Sequence, residues 1–79
     1  MENLTAGRVV HVVANDGQKC QPAIVVQVWG NGMINAVVFR DGSNDNRHDG
    51  GDGSLTRWAT SLRETGEQNG FHDPRECPR

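Results

Sequence analysis

The stretch Ala23 to Phe39, AIVVQVWGNGMINAVVF, constrains the fold more than any other: two runs rich in β-branched residues flank Gly30, Asn31 and Gly32. Branched side chains are stiff about their first torsion and pack well on a pleated surface, while glycine supplies the left-handed backbone angles of a tight turn. The stretch therefore reads as an antiparallel hairpin. Because successive strand side chains alternate faces, Ile24, Val26 and Val28 share one face of the first run, and Ile34, Ala36 and Val38 one face of the second. These wholly apolar faces are expected to point inward. The opposite faces hold Trp29, Val37 and Phe39 among polar neighbours, and form either a partner surface or a second layer covered by the chain's own tail.

Upstream, Val9, Val10, His11, Val12 and Val13 spell another strand, and Asn15, Asp16 and Gly17 a turn. Pro22 cannot donate to a ladder, so the second strand is expected to begin at or after it. From Arg40 to Ser54 there is no apolar residue, which makes this segment a surface loop, either functional or disordered. Leu55 to Leu62 returns to alternation, with Leu55, Arg57, Ala59 and Ser61 on one side and Thr56, Trp58, Thr60 and Leu62 on the other. A fourth strand is expected there, with room for a short fifth after a break. The tail from Glu64 to Arg79 carries Gly66, Gly70, Pro74 and Pro78, with Phe71 as its one large apolar residue, and reads as irregular. The expected fold is all-β: a single domain over residues 1–79, a small SH3-like barrel of four to five antiparallel strands, frayed at 1–6 and 74–79. A small open sheet closed by pairing with another chain is the rival.

A chain of 79 residues with 34% hydrophobic and 5% aromatic content has a thin supply for a core. Area burial minus ordering entropy comes out near zero for such scaffolds, so a supplement is expected. Oligomerisation is the first candidate. A disulfide between Cys20 and Cys77 is the second, although two cysteines without a secretory segment more often stay reduced in the cytoplasm. A net charge of −2, a pI near 5.8 and a single lysine, Lys19, disfavour a nucleic-acid coat, which needs clustered cations. No run is long enough for a transmembrane helix, and the opening Met-Glu-Asn-Leu-Thr lacks the pattern of a signal peptide.

Signatures of chemistry are sparse. Asp41, Ser43, Asp45 and Asp52 echo the spacing of a calcium loop, but Asn46 stands where the sharp turn wants glycine and no helices flank it. His11, His48, His72, Cys20 and Cys77 could ligate zinc, yet no two sit at a finger or knuckle spacing, so neither metal nor cofactor is expected. No nucleophile elbow or oxyanion hole is marked, and Gly50, Gly51 and Gly53 lead into a strand rather than a helix, so no enzyme is expected. Trp29, Phe39, Trp58 and Phe71 are the large aromatics. Arg40 and Asp41 follow Phe39, and Arg57 precedes Trp58; stacking faces beside guanidinium groups suit a nucleotide-like ligand. The alternative is that the tryptophans are core and Arg57 covers one of them.

The pattern C-x-P-A-x-V-V-x-V-W, then N-x-V-V-F-x-D-G-x-N-D, then R-W-A-T-S resembles a group of short accessory proteins common in tailed-phage genomes. It is carried here by Cys20, Pro22, Ala23, Val25, Val26, Val28 and Trp29, by Asn35, Val37 to Phe39, Asp41, Gly42, Asn44 and Asp45, and by Arg57 to Ser61. It spans about the middle half of the chain, and Gly70 to Pro74 loosely echo an ending in the same group. The segment from Asn46 to Gly53 departs from the group in its length and glycine content. The resemblance implies a small β-barrel and a viral gene expressed in a bacterial cytoplasm. Some phage proteins of this size are oligomeric sponges for cyclic-nucleotide or ADP-ribose-derived immune signals, and this chain is similar to them in size and β-richness.

The expected function is thus a non-enzymatic, homo-oligomeric phage binder that sequesters a nucleotide-derived signal. Its ligand would meet Trp29, Phe39, Arg40, Asp41, Asn44, Asp45, Arg57 and Trp58. The alternatives are a protein-interaction module acting on a host or phage protein through the outer face around Trp29, Val37 and Phe39, and a nucleic-acid-binding barrel.

Overall fold

The computed structural model describes residues 1, 3–13, 20–40, 55–65 and 70–77. Five strands follow in order: β1 (Val9–Val13), β2 (Cys20–Val28), β3 (Ile34–Phe39), β4 (Thr56–Glu64) and β5 (Gly70–His72), with a 3-10 turn over Pro74–Glu76. They form a closed barrel in sequence order, and β5 pairs back onto β1. This is the small all-β barrel expected. Every pairing is antiparallel save that of β4 with β5, which is parallel.

The hairpin turn between β2 and β3 is built around one glycine. Gly32 takes φ +85° and donates its amide to the Trp29 carbonyl, while the Met33 amide donates to the Asn31 side-chain oxygen. Gly30 is not among the residues of positive φ, so only one of the two glycines supplies the left-handed angle.

The core is aliphatic apart from one ring: Val10, Val12, Ala23, Val25, Ile34, Ala36, Val38, Ala59, Leu62 and Phe71. On β3 the buried set is the expected one. On β2 it is not: Ala23 and Val25 are buried, whereas Ile24 and Val26 are exposed on the outside. The register explains the reversal. Ala23 to Val25 pair in step with Val38 to Ala36, after which Val26 is an extra residue and Gln27 pairs with Asn35. A one-residue bulge shifts the following side chains to the other face. The inward positions are therefore Val25 and then Val28, which packs against the core from a partly buried position.

A second bulge acts in β4, where Ala36 pairs with Ala59 but Ile34 pairs with Leu62. Ala59 and Leu62, assigned by simple alternation to opposite faces, both turn inward. Ser61 absorbs the irregularity at φ +55° and donates its amide to Asn35 Oδ1 at 3.0 Å. The Trp29 indole N–H donates to the same oxygen at 3.2 Å, so one carboxamide ties the end of β2 to the β4 bulge.

Of the two end segments, the described residues are 1, 3–6 and 74–77. Met1 and Leu4 pack against the core, and the Met1 ammonium meets Glu64 Oε1 at 3.0 Å. In the tail, Phe71 is fully buried and is the largest fully buried side chain among the described residues. It fills the barrel from β5, opposite Val12 on one side and beside Glu64 on the other.

Candidate functional site

Two places on the barrel's exterior bring chemistry-bearing side chains together. The first is an apolar row. Val9 stands opposite Ile24, Ile24 opposite Val37, and Val37 opposite Trp58, so four adjacent strands place one outward side chain each in line. With neighbouring strands about 4.8 Å apart, the row runs for about 14 Å. Val9, Ile24 and Trp58 are exposed by 46, 40 and 56%, and Val26 and Phe39 extend the patch to either side. Trp29 is also exposed, at the end of β2.

The structure thus gathers Phe39 and Trp58 on one face, as diagonal neighbours across β3 and β4. It does not gather Arg40 and Arg57 with them. Residues adjacent in a strand point to opposite faces, so an arginine next to an aromatic in sequence is turned away from it. Arg40 is buried, with its Nη2 donating to the Thr56 carbonyl at 3.4 Å, and Arg57 Nη2 donates to the fully buried Gln21 Oε1 at 2.9 Å. Both guanidinium groups serve the barrel's own polar atoms. Asp41, Asn44 and Asp45, and with them the calcium-like spacing through Asp52, lie outside the described residues. An open depression of about 380 Å³ lies elsewhere, between the hairpin turn and the end of β4, lined by Asn31, Gly32, Met33, Arg63 and Glu64. It contains none of the aromatic rings.

The second place is a cluster that sequence spacing hid. His11 points outward from the middle of β1, between buried Val10 and Val12. Cys20 opens β2 opposite Val13, and His72 ends β5 opposite His11. Cys77 follows the 3-10 turn, which folds back over β1. The four ligating atoms lie within 4.8 Å of one another. Cys20 Sγ is 3.6 Å from His72 Nε2 and 3.2 Å from Cys77 Sγ. The two imidazole rings meet edge to face at 5.7 Å.

A charged brace sets the position of Cys77. Asp73 is buried; its Oδ1 caps the 3-10 turn by accepting from the Arg75 amide at 2.9 Å. Its Oδ2 accepts from Arg75 Nη2 at 2.8 Å and from Arg8 Nη2 at 3.1 Å, which fastens the tail to the start of β1. The Arg75 side chain, its amide and the charges of Arg75 and Arg8 hold the Asp73 carboxyl well below the usual carboxylate range, against the opposing effect of burial. The same contact raises Arg75 above its ordinary value.

Four of the chain's five imidazole and thiol residues thus meet in one spot; the fifth, His48, lies outside the described residues. The signal missing from the sequence was topological. Only the pairing of the first strand with the last brings His11 to His72.

Comparison with known proteins finds no matching family model, no curated protein and no solved structure of significant similarity. Among the described residues, no helix is long and apolar enough to cross a membrane.

Proposed function

We propose that this chain is a non-enzymatic binding module whose working surface is the outer apolar face of β1 to β4, and that the face meets a second copy of the chain. The observation that carries this reading is the row Val9, Ile24, Val37 and Trp58, aligned by register across four strands with its ends about half exposed. The register that faces Ile24 outward opposite Val37, with Val26 at the bulge beside it, leaves large aliphatic groups in water, a cost that docking removes at about 25 cal/mol per Å². A twofold arrangement would set two Trp58 rings on two rows of branched side chains. That mates one patch with itself, as the commonest oligomers do.

The test is sedimentation of the wild type and of Trp58→Glu from micromolar to millimolar concentration. The wild type should dimerise, and Trp58→Glu should stay monomeric with an unchanged far-ultraviolet dichroism spectrum. A wild type that stays monomeric across the range sinks the proposal.

A second reading rests on the exposed rings of Phe39 and Trp58, which offer stacking faces to a nucleotide-derived signal held between copies. In the form suggested by the phage resemblance, it places the ligand against these rings without help from Arg57, whose Nη2 bonds Gln21. Thermal shift against cyclic dinucleotides and cyclic ADP-ribose isomers tests it. A stabilisation lost in Phe39→Ala supports capture, and no shift from any of them removes it.

A further inference from the structure

The cluster of His11, Cys20, His72 and Cys77 takes no part in the docking face, and its geometry has a demanding shape. Tetrahedral zinc with bonds of about 2.3 Å to sulfur and about 2.0 to 2.1 Å to nitrogen sets a sulfur and a nitrogen ligand about 3.6 Å apart and two sulfurs about 3.8 Å apart. Cys20 Sγ and His72 Nε2 are 3.6 Å apart, and all four ligand atoms fall within 4.8 Å of one another, so the widest separation has about 1 Å to close on a tetrahedral ion. The Cys20 to Cys77 separation of 3.2 Å lies well beyond a sulfur–sulfur bond of about 2.05 Å. It needs only a slight opening to reach the tetrahedral span.

An independent observation points the same way. His11 Nδ1 is buried without a hydrogen-bond partner among the described residues. Buried imidazole nitrogens are normally bonded, and a nitrogen next to a metal site is used either to ligate or to orient the ring.

We infer that these four residues form a structural zinc site that fastens the C-terminal turn to the outside of the barrel. Two sulfur and two imidazole ligands in a tetrahedral cage are the donor set that zinc takes, and four protein ligands leave no open position for substrate. Binding forms two Zn–S and two Zn–N bonds and sends two thiol protons to solvent. Two thiolates then cancel the charge of the ion, so a partly buried site holds no net charge. The ion supplies what the composition lacks. A core in which ten residues include three alanines and four valines gains a cross-link between β1, β2, β5 and the turn.

The full chain, expressed in a reducing cytoplasm and purified with reductant and no chelator, should carry one zinc per chain by native mass spectrometry. Its mass should exceed that of the metal-free chain by one zinc less two protons. After the zinc is stripped, cobalt(II) alone should give the intense visible bands of a tetrahedral site together with thiolate-to-cobalt charge transfer. Chelator should lower the melting temperature of the wild type. Cys77→Ser should lower zinc affinity by more than about a hundredfold, the upper end of what disturbing a ligand's support alone does. If Cys77→Ser fails to fold, the cobalt spectrum and chelator response of the wild type still decide. A metal-free chain with a Cys20–Cys77 disulfide, recognised by the loss of two hydrogens, overturns the inference. So does a reduced chain that binds cobalt only octahedrally.

Discussion

Truncating Phe71 tests the closure of the barrel where it is least redundant. Its ring is fully buried on a strand of three residues, yet that strand pairs with both β1 and β4. Removing a buried phenylalanine ring costs about 3 to 5 kcal/mol, since transfer energy and cavity add. The upper part of that range applies here, because the remaining core is made of valine, alanine, one isoleucine and one leucine, whose short side chains cannot swing in. Domains hold about 0.05 to 0.15 kcal/mol per residue, which for this length is about 4 to 12 kcal/mol in all. Phe71→Ala should therefore remove at least about a third of the stability, and at the low end of that range it should leave the chain unfolded. Phe71→Leu, which keeps most of the volume, should cost less than about 1.5 kcal/mol. The assay is urea unfolding followed by far-ultraviolet dichroism at fixed zinc concentration, because Trp29 and Trp58 are about half exposed and report weakly on the core. A loss below about 1 kcal/mol in Phe71→Ala, with an unchanged denaturant slope, would show that the ring is not core and that β5 does not close the barrel.

Further changes probe single contacts. Arg57→Leu removes a charge-assisted bond to Gln21 Oε1 inside the barrel and should cost about 1.5 to 3 kcal/mol by urea unfolding, whereas the same change at the exposed Arg63 should fall within about 0.5 kcal/mol. Ser61→Gly relieves a left-handed backbone angle while keeping the amide bond to Asn35, and should raise stability by up to about 1 kcal/mol in thermal unfolding; a fall would mean that the hydroxyl has its own role. Gly32→Ala meets no atom within 4 Å, so its cost is backbone strain alone, about 1 to 2 kcal/mol. Asp73→Ala uncaps the 3-10 turn and releases Arg8 and Arg75, and amide exchange at Arg75 to Cys77 should accelerate more than exchange within β3. Equal protection of Arg75 to Cys77 in Asp73→Ala and the wild type would show that the cap does not hold the tail.

Strand existence was legible because branched residues cluster between turn residues, as in Val9 to Val13 and Ile34 to Phe39. Faces were legible only where strands run in step. On β3 alternation selects Ile34, Ala36 and Val38 correctly. On β2 and β4 a bulge replaces a spacing of two by a spacing of three, giving Val25 with Val28 and Ala59 with Leu62. No residue type marks those points: Val26 looks like its neighbours, and Ser61 occupies an angle that glycine more commonly takes. The ligand constellation fared likewise. An aromatic and an arginine adjacent in sequence suggest one site, but a pleated strand sends them to opposite faces, as Arg57 and Trp58 show. The histidines and cysteines were legible as possible ligands, but their convergence was not, since they are joined by pairing between distant strands.

The seam between β1 and β5 also sets the order in which the molecule can assemble. Pairings within the β2–β3 hairpin close over a few residues and form on a timescale of about 1 to 10 μs, whereas the seam joins segments at opposite ends of the chain. Cys20 and His72 are 52 positions apart. A topology dominated by such distant contacts folds in milliseconds to seconds, with the seam sealing late. Interactions made after the transition state leave the folding rate nearly untouched and act on the unfolding rate. A metal whose ligands straddle the seam would therefore work as a latch on escape: its removal should leave refolding almost as fast as before and shorten the lifetime of the folded barrel.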